Sequence, residues 1–177
     1  MSKKATTFEE RVNAFKGFME ERVSPEMVEK LKVMGFFTAP ASTKYHGDYP
    51  GGLFDHSILV ADELVNISKR MGLIWQKERS PYIVGMFHDL CKIDAYEMDE
   101  SGYVRREDSF FPGHGDKSVL ILSQFMQLTE EEVFCIRYHM GAYEKDEWAY
   151  FGNAIKRYHN VLWTHTADMI ASKIYNT

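Results

Sequence analysis

The chain of 177 residues is long enough for one ordinary domain built around a single sizeable core. Its 45% hydrophobic and 27% charged residues exclude a disordered polymer, and a net charge of −5 argues against a protein that grips long nucleic acid through overall basic charge. No uninterrupted apolar stretch approaches the ~18 residues of a membrane span, the opening MSKKATTFEE lacks the apolar core of a secretory signal, and the only cysteines, Cys91 and Cys135, suit a reducing compartment, so a cytoplasmic protein with no membrane partner is expected.

Residues 7–22 set Phe8, Val12, Phe15 and Phe18 at helical spacing among charges, and SPEMVEKLKVMG reads as a short helix with Ser24 as N-cap, Pro25 at N1 and Gly35 as its stop. Residues 36–52, rich in turn formers, read as a long loop. A third helix is expected from about Leu53 to Arg70, and a fourth from Ser80 as N-cap, with Pro81 at N1, to about Lys92. The stretch AYEMDESGYVRRE has two short strand-like pieces around residues 99–102 and predicts a small hairpin. FFPGHGD reads as a loop whose Asp116 caps a helix through residue 126. TEEEVFCIRYHMG carries a capping box, Thr129 with Glu132, and a stop at Gly141. A last helix covers about 160–175. The sum is an all-α chain with one hairpin and no internal domain boundary, so residues 1–177 read as one domain.

Against this frame several polar residues occupy apolar positions. His56 lies on the stripe of Leu53, Val60, Leu64 and Ile67. His88 and Asp89 sit in GMFHDLCKID, near the end of a helix that is apolar on nearly all sides, and burial there costs a few kcal/mol unless a partner is found. Lys92, on the same face, offers Asp89 a buried ion pair, which leaves His88 unexplained. His114 falls in a Gly-flanked loop before a helix, where a solvent-exposed residue is the alternative. His139 falls before Gly141, where a helix-dipole cation is the alternative. Asp168 lies among apolar neighbours in LWTHTADMIA, with His165 three residues before it as a supporting contact. Together His56, His88, Asp89, His114, His139 and Asp168 make a mixed imidazole–carboxylate set. A divalent transition ion (Mn, Fe, Co, Ni or Zn) would turn these misplaced polar groups into ligands, while the absence of paired cysteines argues against a structural zinc site.

The order of these residues resembles the HD-domain superfamily of metal-dependent phosphohydrolases. HDLCK matches the HDxxK pattern, YPGGLFDHS resembles the opening GGLxxHS helix, and HTADMIA resembles the closing helix with its last Asp, over about residues 45–172, with helices in 7–35 preceding this core. His114 and His139 resemble the subset that holds two ions, and HGDYPGGLFDHS with the hairpin resembles HD domains of 3′–5′ exoribonuclease type. The GYP signature of cyclic-di-GMP phosphodiesterases is missing.

The resemblance implies an HD-like helical bundle with a hairpin insertion. It implies one ion held by His56, His88, Asp89 and Asp168, and a second sharing Asp89 and held by His114 and His139. The implied reaction is hydrolysis of a phosphate ester of a nucleotide or short oligonucleotide by metal-activated water. Asp89 and Lys92 would be catalytic, Lys92 as a point charge for the phosphate. His46, in the loop before the site, and Lys117, at a helix N-terminus, are candidate substrate contacts, with solvated surface as the alternative. Two rival readings fit the same residues: a di-iron oxygenase of the same superfamily, and a nucleotide-binding regulatory module without turnover.

Overall fold

The structure is a computed structural model that describes residues 7–43, 47–100, 102–106, 114–142 and 147–175. Within these lie eight α-helices, α1 (Phe8–Met19), α2 (Pro25–Val33), α3 (Gly52–Met71), α4 (Ser80–Phe87), α5 (His114–Leu122), α6 (Glu130–Arg137), α7 (Glu147–Arg157) and α8 (Asn160–Lys173). Two strands, β1 (Tyr96–Asp99) and β2 (Gly102–Arg105), pair antiparallel with Tyr96 opposite Arg105 and Asp99 opposite Gly102. The fold is therefore mostly helical with one small hairpin, as the sequence predicts. No helix among the described residues is long and apolar enough to cross a membrane.

The capping box expected at Thr129 forms, and α1 carries a second one that was not expected. Thr7 and Glu10 start α1 reciprocally, and Thr129 and Glu132 start α6. Ser24 accepts from the Met27 amide to start α2. The core runs through the whole assembly. Phe15, Phe36, Phe37, Phe54 and Phe87 meet in edge-on or tilted pairs where α1, the α2–α3 loop, α3 and α4 join. Helix α3 packs along both α4 and α8, so it is the central member of the bundle.

Four local expectations are corrected. Ser80 is the first helical residue of α4, not its cap; Arg79 holds the N-cap position, and the Ser80 hydroxyl donates to Glu132 Oε1 at 2.9 Å. A tertiary acceptor thus outcompetes local capping. Helix α4 ends at Phe87 rather than near Lys92, and a 3-10 turn covers Leu90–Asp94. Helix α5 begins at His114 and ends at Leu122, so Asp116 lies in its first turn and pairs with Arg137 at 2.5 Å instead of capping it. Helix α7 was not expected. Its apolar residues are interleaved with Trp148 and Tyr150, which stay exposed, so only Phe151 and Ala154 are buried.

Candidate metal centre

The start of α3 is built to hold His56 still. Gly51 has φ +86°, and a Cβ there would run into the Arg11 guanidinium; a Cβ on Gly52 would run into the Gly47 backbone. The paired glycines therefore let α1 and the preceding loop close onto the helix. Arg11 then donates from Nε and Nη2 to the two oxygens of Asp55 at 3.0 and 3.3 Å, and the Tyr49 hydroxyl donates to Asp55 Oδ2 at 3.0 Å. This buried fork locks the first turn of α3 one residue before His56. No periodicity argument marks Arg11 or Tyr49. The one available cue is an acidic residue in the first turn of an apolar helix, which needs a donor.

Helix α4 approaches α3 so closely at Gly85 that a Cβ would overlap Ala61. That contact brings His88 against His56, with their Nε2 atoms 3.3 Å apart. The His88 Nδ1–H donates to the Gly85 carbonyl at 2.8 Å, and the His139 Nδ1–H donates to the Ile136 carbonyl at 2.7 Å. A carbonyl only accepts, so each Nδ1 carries the proton, and in the neutral ring each Nε2 presents a lone pair inward. At Asp89 the backbone leaves the α-helix (φ −104°, ψ 19°) for the sparsely populated bridge region, which turns its carboxylate back beside His88.

Two overlapping groups result, His56 with His88 and Asp168, and His88 with Asp89 and His139, each with ligand atoms within 4.8 Å of one another and all five residues buried. Asp168 Oδ1 lies 3.2 Å from His56 Nε2 and 3.9 Å from His88 Nε2. Asp89 divides its oxygens. Oδ2 pairs with Lys92 Nζ at 2.7 Å, and Oδ1 faces His139 Nε2 at 3.3 Å without a hydrogen bond. A lone pair against a carboxylate oxygen is repulsive unless a proton or cation lies between them, and ligands of one tetrahedral ion at about 2.1 Å sit roughly 3.4 Å apart. The donor set therefore fits a divalent transition ion.

The electrostatics agree with a cation-seeking centre. Burial pushes the Asp89 carboxyl upward, but the Lys92 ammonium and the neighbouring His88 overcome this and hold it well below the usual carboxylate range. Asp168 is likewise raised by burial and more than offset by His56 and His88. Lys92 loses by burial and gains more from Asp89, so it stays charged.

The other expected residues fall around this centre. His114 opens α5 half-buried and does not join either group; its Nδ1 lies 3.6 Å from Cys91 Sγ. Burial lowers its pKa, while Asp89 acts in the opposite direction. His165 Nδ1–H donates to the His139 carbonyl at 2.7 Å, a supporting contact to a candidate ligand. Lys117 is held by Asp94 at 2.5 Å, so its ammonium is engaged at the surface. His46 lies outside the described residues. The chain matches no protein-family model, no curated protein and no solved structure.

Proposed function

We propose that this chain is a metal-dependent phosphohydrolase with an HD-like helical bundle, cleaving a phosphate ester of a nucleotide or short oligonucleotide. The observation that supports it most is the convergence of the Nε2 atoms of His56, His88 and His139 with the carboxylates of Asp89 and Asp168, in the chain order that resembles the HD superfamily. Two overlapping groups rather than one are the reason to propose two ions. Following the resemblance, Asp89 would be shared: with His56, His88 and Asp168 it would hold one ion, and with His139 and His114, which joins neither group in the structure, the other.

When bound, such ions supply Lewis acidity, polarising phosphate oxygens and lowering the pKa of water from 15.7 toward about 7. The chain's own residues supply the rest. The backbone acceptors of Gly85 and Ile136 hold His88 and His139 in one tautomer, and His165 fixes the carbonyl of His139. Lys92, anchored by Asp89, keeps a buried positive charge where negative charge develops on the phosphate.

The test is elemental analysis of protein purified without chelator, followed by a phosphoester panel of p-nitrophenyl esters, nucleoside monophosphates, cyclic nucleotides and short RNA. About two divalent ions per chain and chelator-sensitive hydrolysis are expected. A coloured protein that consumes oxygen and hydrolyses nothing would replace this reading with the di-iron one, and tight nucleotide binding without turnover under any metal would replace it with a regulatory module.

A further inference from the structure

The β-hairpin is tied directly to the metal centre. It starts two residues after the 3-10 turn that carries Lys92, and the Arg106 amide donates to the Ala95 carbonyl at 3.0 Å, closing its base. The register pairs Tyr96 with Arg105 and Met98 with Tyr103, while Glu97 pairs with Val104. Side chains alternate along a strand, and directly opposed residues share a face. One face therefore carries Tyr96, Met98, Tyr103 and Arg105, and the other carries the acidic Glu97 and Asp99.

Tyr96, at the base of the basic and aromatic face, is the hairpin residue that lies beside the site, four residues after Lys92. Tyr96 is half-buried with its hydroxyl reaching the Ala41 carbonyl at 3.4 Å. Lys92 and Asp89 act on its phenol, burial being the larger influence, and Arg105 acts on both Tyr96 and His114. Met98, by contrast, is 61% exposed, although it sits beside Tyr103. The Arg105 guanidinium is exposed and makes no ion pair or hydrogen bond among the described residues. An exposed methionine, a tyrosine and an uncommitted guanidinium on one face, with the acids confined to the other, suit an anionic ligand that also has a flat apolar part. Bases stack on aromatic side chains while a cation takes the phosphate, and Arg also stacks on ring faces.

We propose that this hairpin face is the substrate platform of the site. Arg105 contacts the phosphate side of a nucleotide, and Tyr103 with Met98 receives its base. The inference deepens the phosphohydrolase reading and rests on it, and it assigns the base-recognition role to a segment outside the metal ligands.

The experiment measures binding to metal-loaded protein by calorimetry, using the hydrolysis-resistant 5′-methylenephosphonates of adenosine and of ribose, with adenosine alone as the third probe. The adenosine phosphonate should bind roughly 5- to 150-fold more tightly than the ribose phosphonate, the range of one base–aromatic stack. Tyr103→Ala should abolish that difference. Arg105→Ala should weaken both phosphonates and leave adenosine unchanged, with Arg105→Lys giving partial recovery. Glu97→Ala, on the opposite face, should change none of them, and circular dichroism melts identify any variant that fails to fold. Should Tyr103→Ala not fold, Met98→Ala serves as the second test of the base preference. Equal affinity for the two phosphonates, or a base preference untouched by Tyr103→Ala and Met98→Ala, overturns the platform while hydrolysis of the phosphoester panel still stands. No phosphonate binding together with a silent phosphoester panel overturns the platform and the phosphohydrolase reading together.

Discussion

Replacing Lys92 by alanine tests how Asp89 is stabilised. The ammonium lies 2.7 Å from Asp89 Oδ2, with the lysine side chain 11% and the carboxylate 3% exposed. At that separation the Coulomb attraction is about 6 kcal/mol for an effective dielectric constant of ~20, and removing one partner of a buried pair costs about 3–5 kcal/mol because the other charge is stranded. A domain of this size shifts its melting temperature by about 2–4 °C per kcal/mol, so chelator-stripped Lys92→Ala should melt about 6–20 °C below stripped wild type. A divalent ion on Asp89 supplies the missing positive charge, so saturating metal should recover at least half of that deficit. Differential scanning calorimetry of both proteins, stripped and loaded, reads both numbers. The neutral pair Asp89→Asn with Lys92→Met should melt near stripped wild type, since replacing both members of a buried pair is often close to neutral, yet it should bind no metal. In loaded protein Lys92→Ala should also lower phosphoester turnover by on the order of 100-fold. Stripped Lys92→Ala melting within 2 °C of wild type, where the ~2 °C per kcal/mol scale makes the loss under about 1 kcal/mol, would refute the charge argument.

Further outcomes follow from the same geometry. Metal binds the folded chain and not the unfolded one, so it should raise the melting temperature of wild type; His56→Ala should abolish that rise, and a full rise in the variant would remove His56 from the ligand set. Arg11→Ala takes the guanidinium from the buried Asp55 carboxylate, which keeps the Tyr49 hydroxyl but loses the fork, with a loss of about 3–5 kcal/mol in denaturant titration and weaker metal binding by isothermal calorimetry, because the first turn of α3 loses its lock. Asp89 and Asp168 have folded pKa values held below the ordinary ~3.9, so their contribution is present above that value and lost as pH falls below about 4; urea titration of stripped protein from pH 6 to 3 should show a decline that Asp168→Asn flattens. Burial pushes the Cys91 thiol up to about 12, so neither it nor the buried Cys135 should react with iodoacetamide in folded protein at pH 8, as intact mass spectrometry would show.

Much of this protein was legible from local rules. The caps of α2 and α6 depend on side chains three residues apart, and the hairpin depends on a turn between two short strand-like runs, so neighbouring residues sufficed. The anomaly of His56, His88, Asp89, His139 and Asp168 was also visible, because a polar residue on an apolar stripe is a local contradiction whatever the fold. What local rules could not supply was distance. The choice between an ion pair and a metal ligand for Asp89 dissolves once its two oxygens are seen to face different partners, Lys92 on one side and His139 on the other. The break of α4 at Asp89, the burial of Ser80 against Glu132, and the Arg11 fork on Asp55 across 44 residues all depend on groups brought together only by packing. Helix periodicity says which face a residue occupies. Close approaches such as Gly85 against Ala61 decide what that face meets, and they are set by the whole core at once.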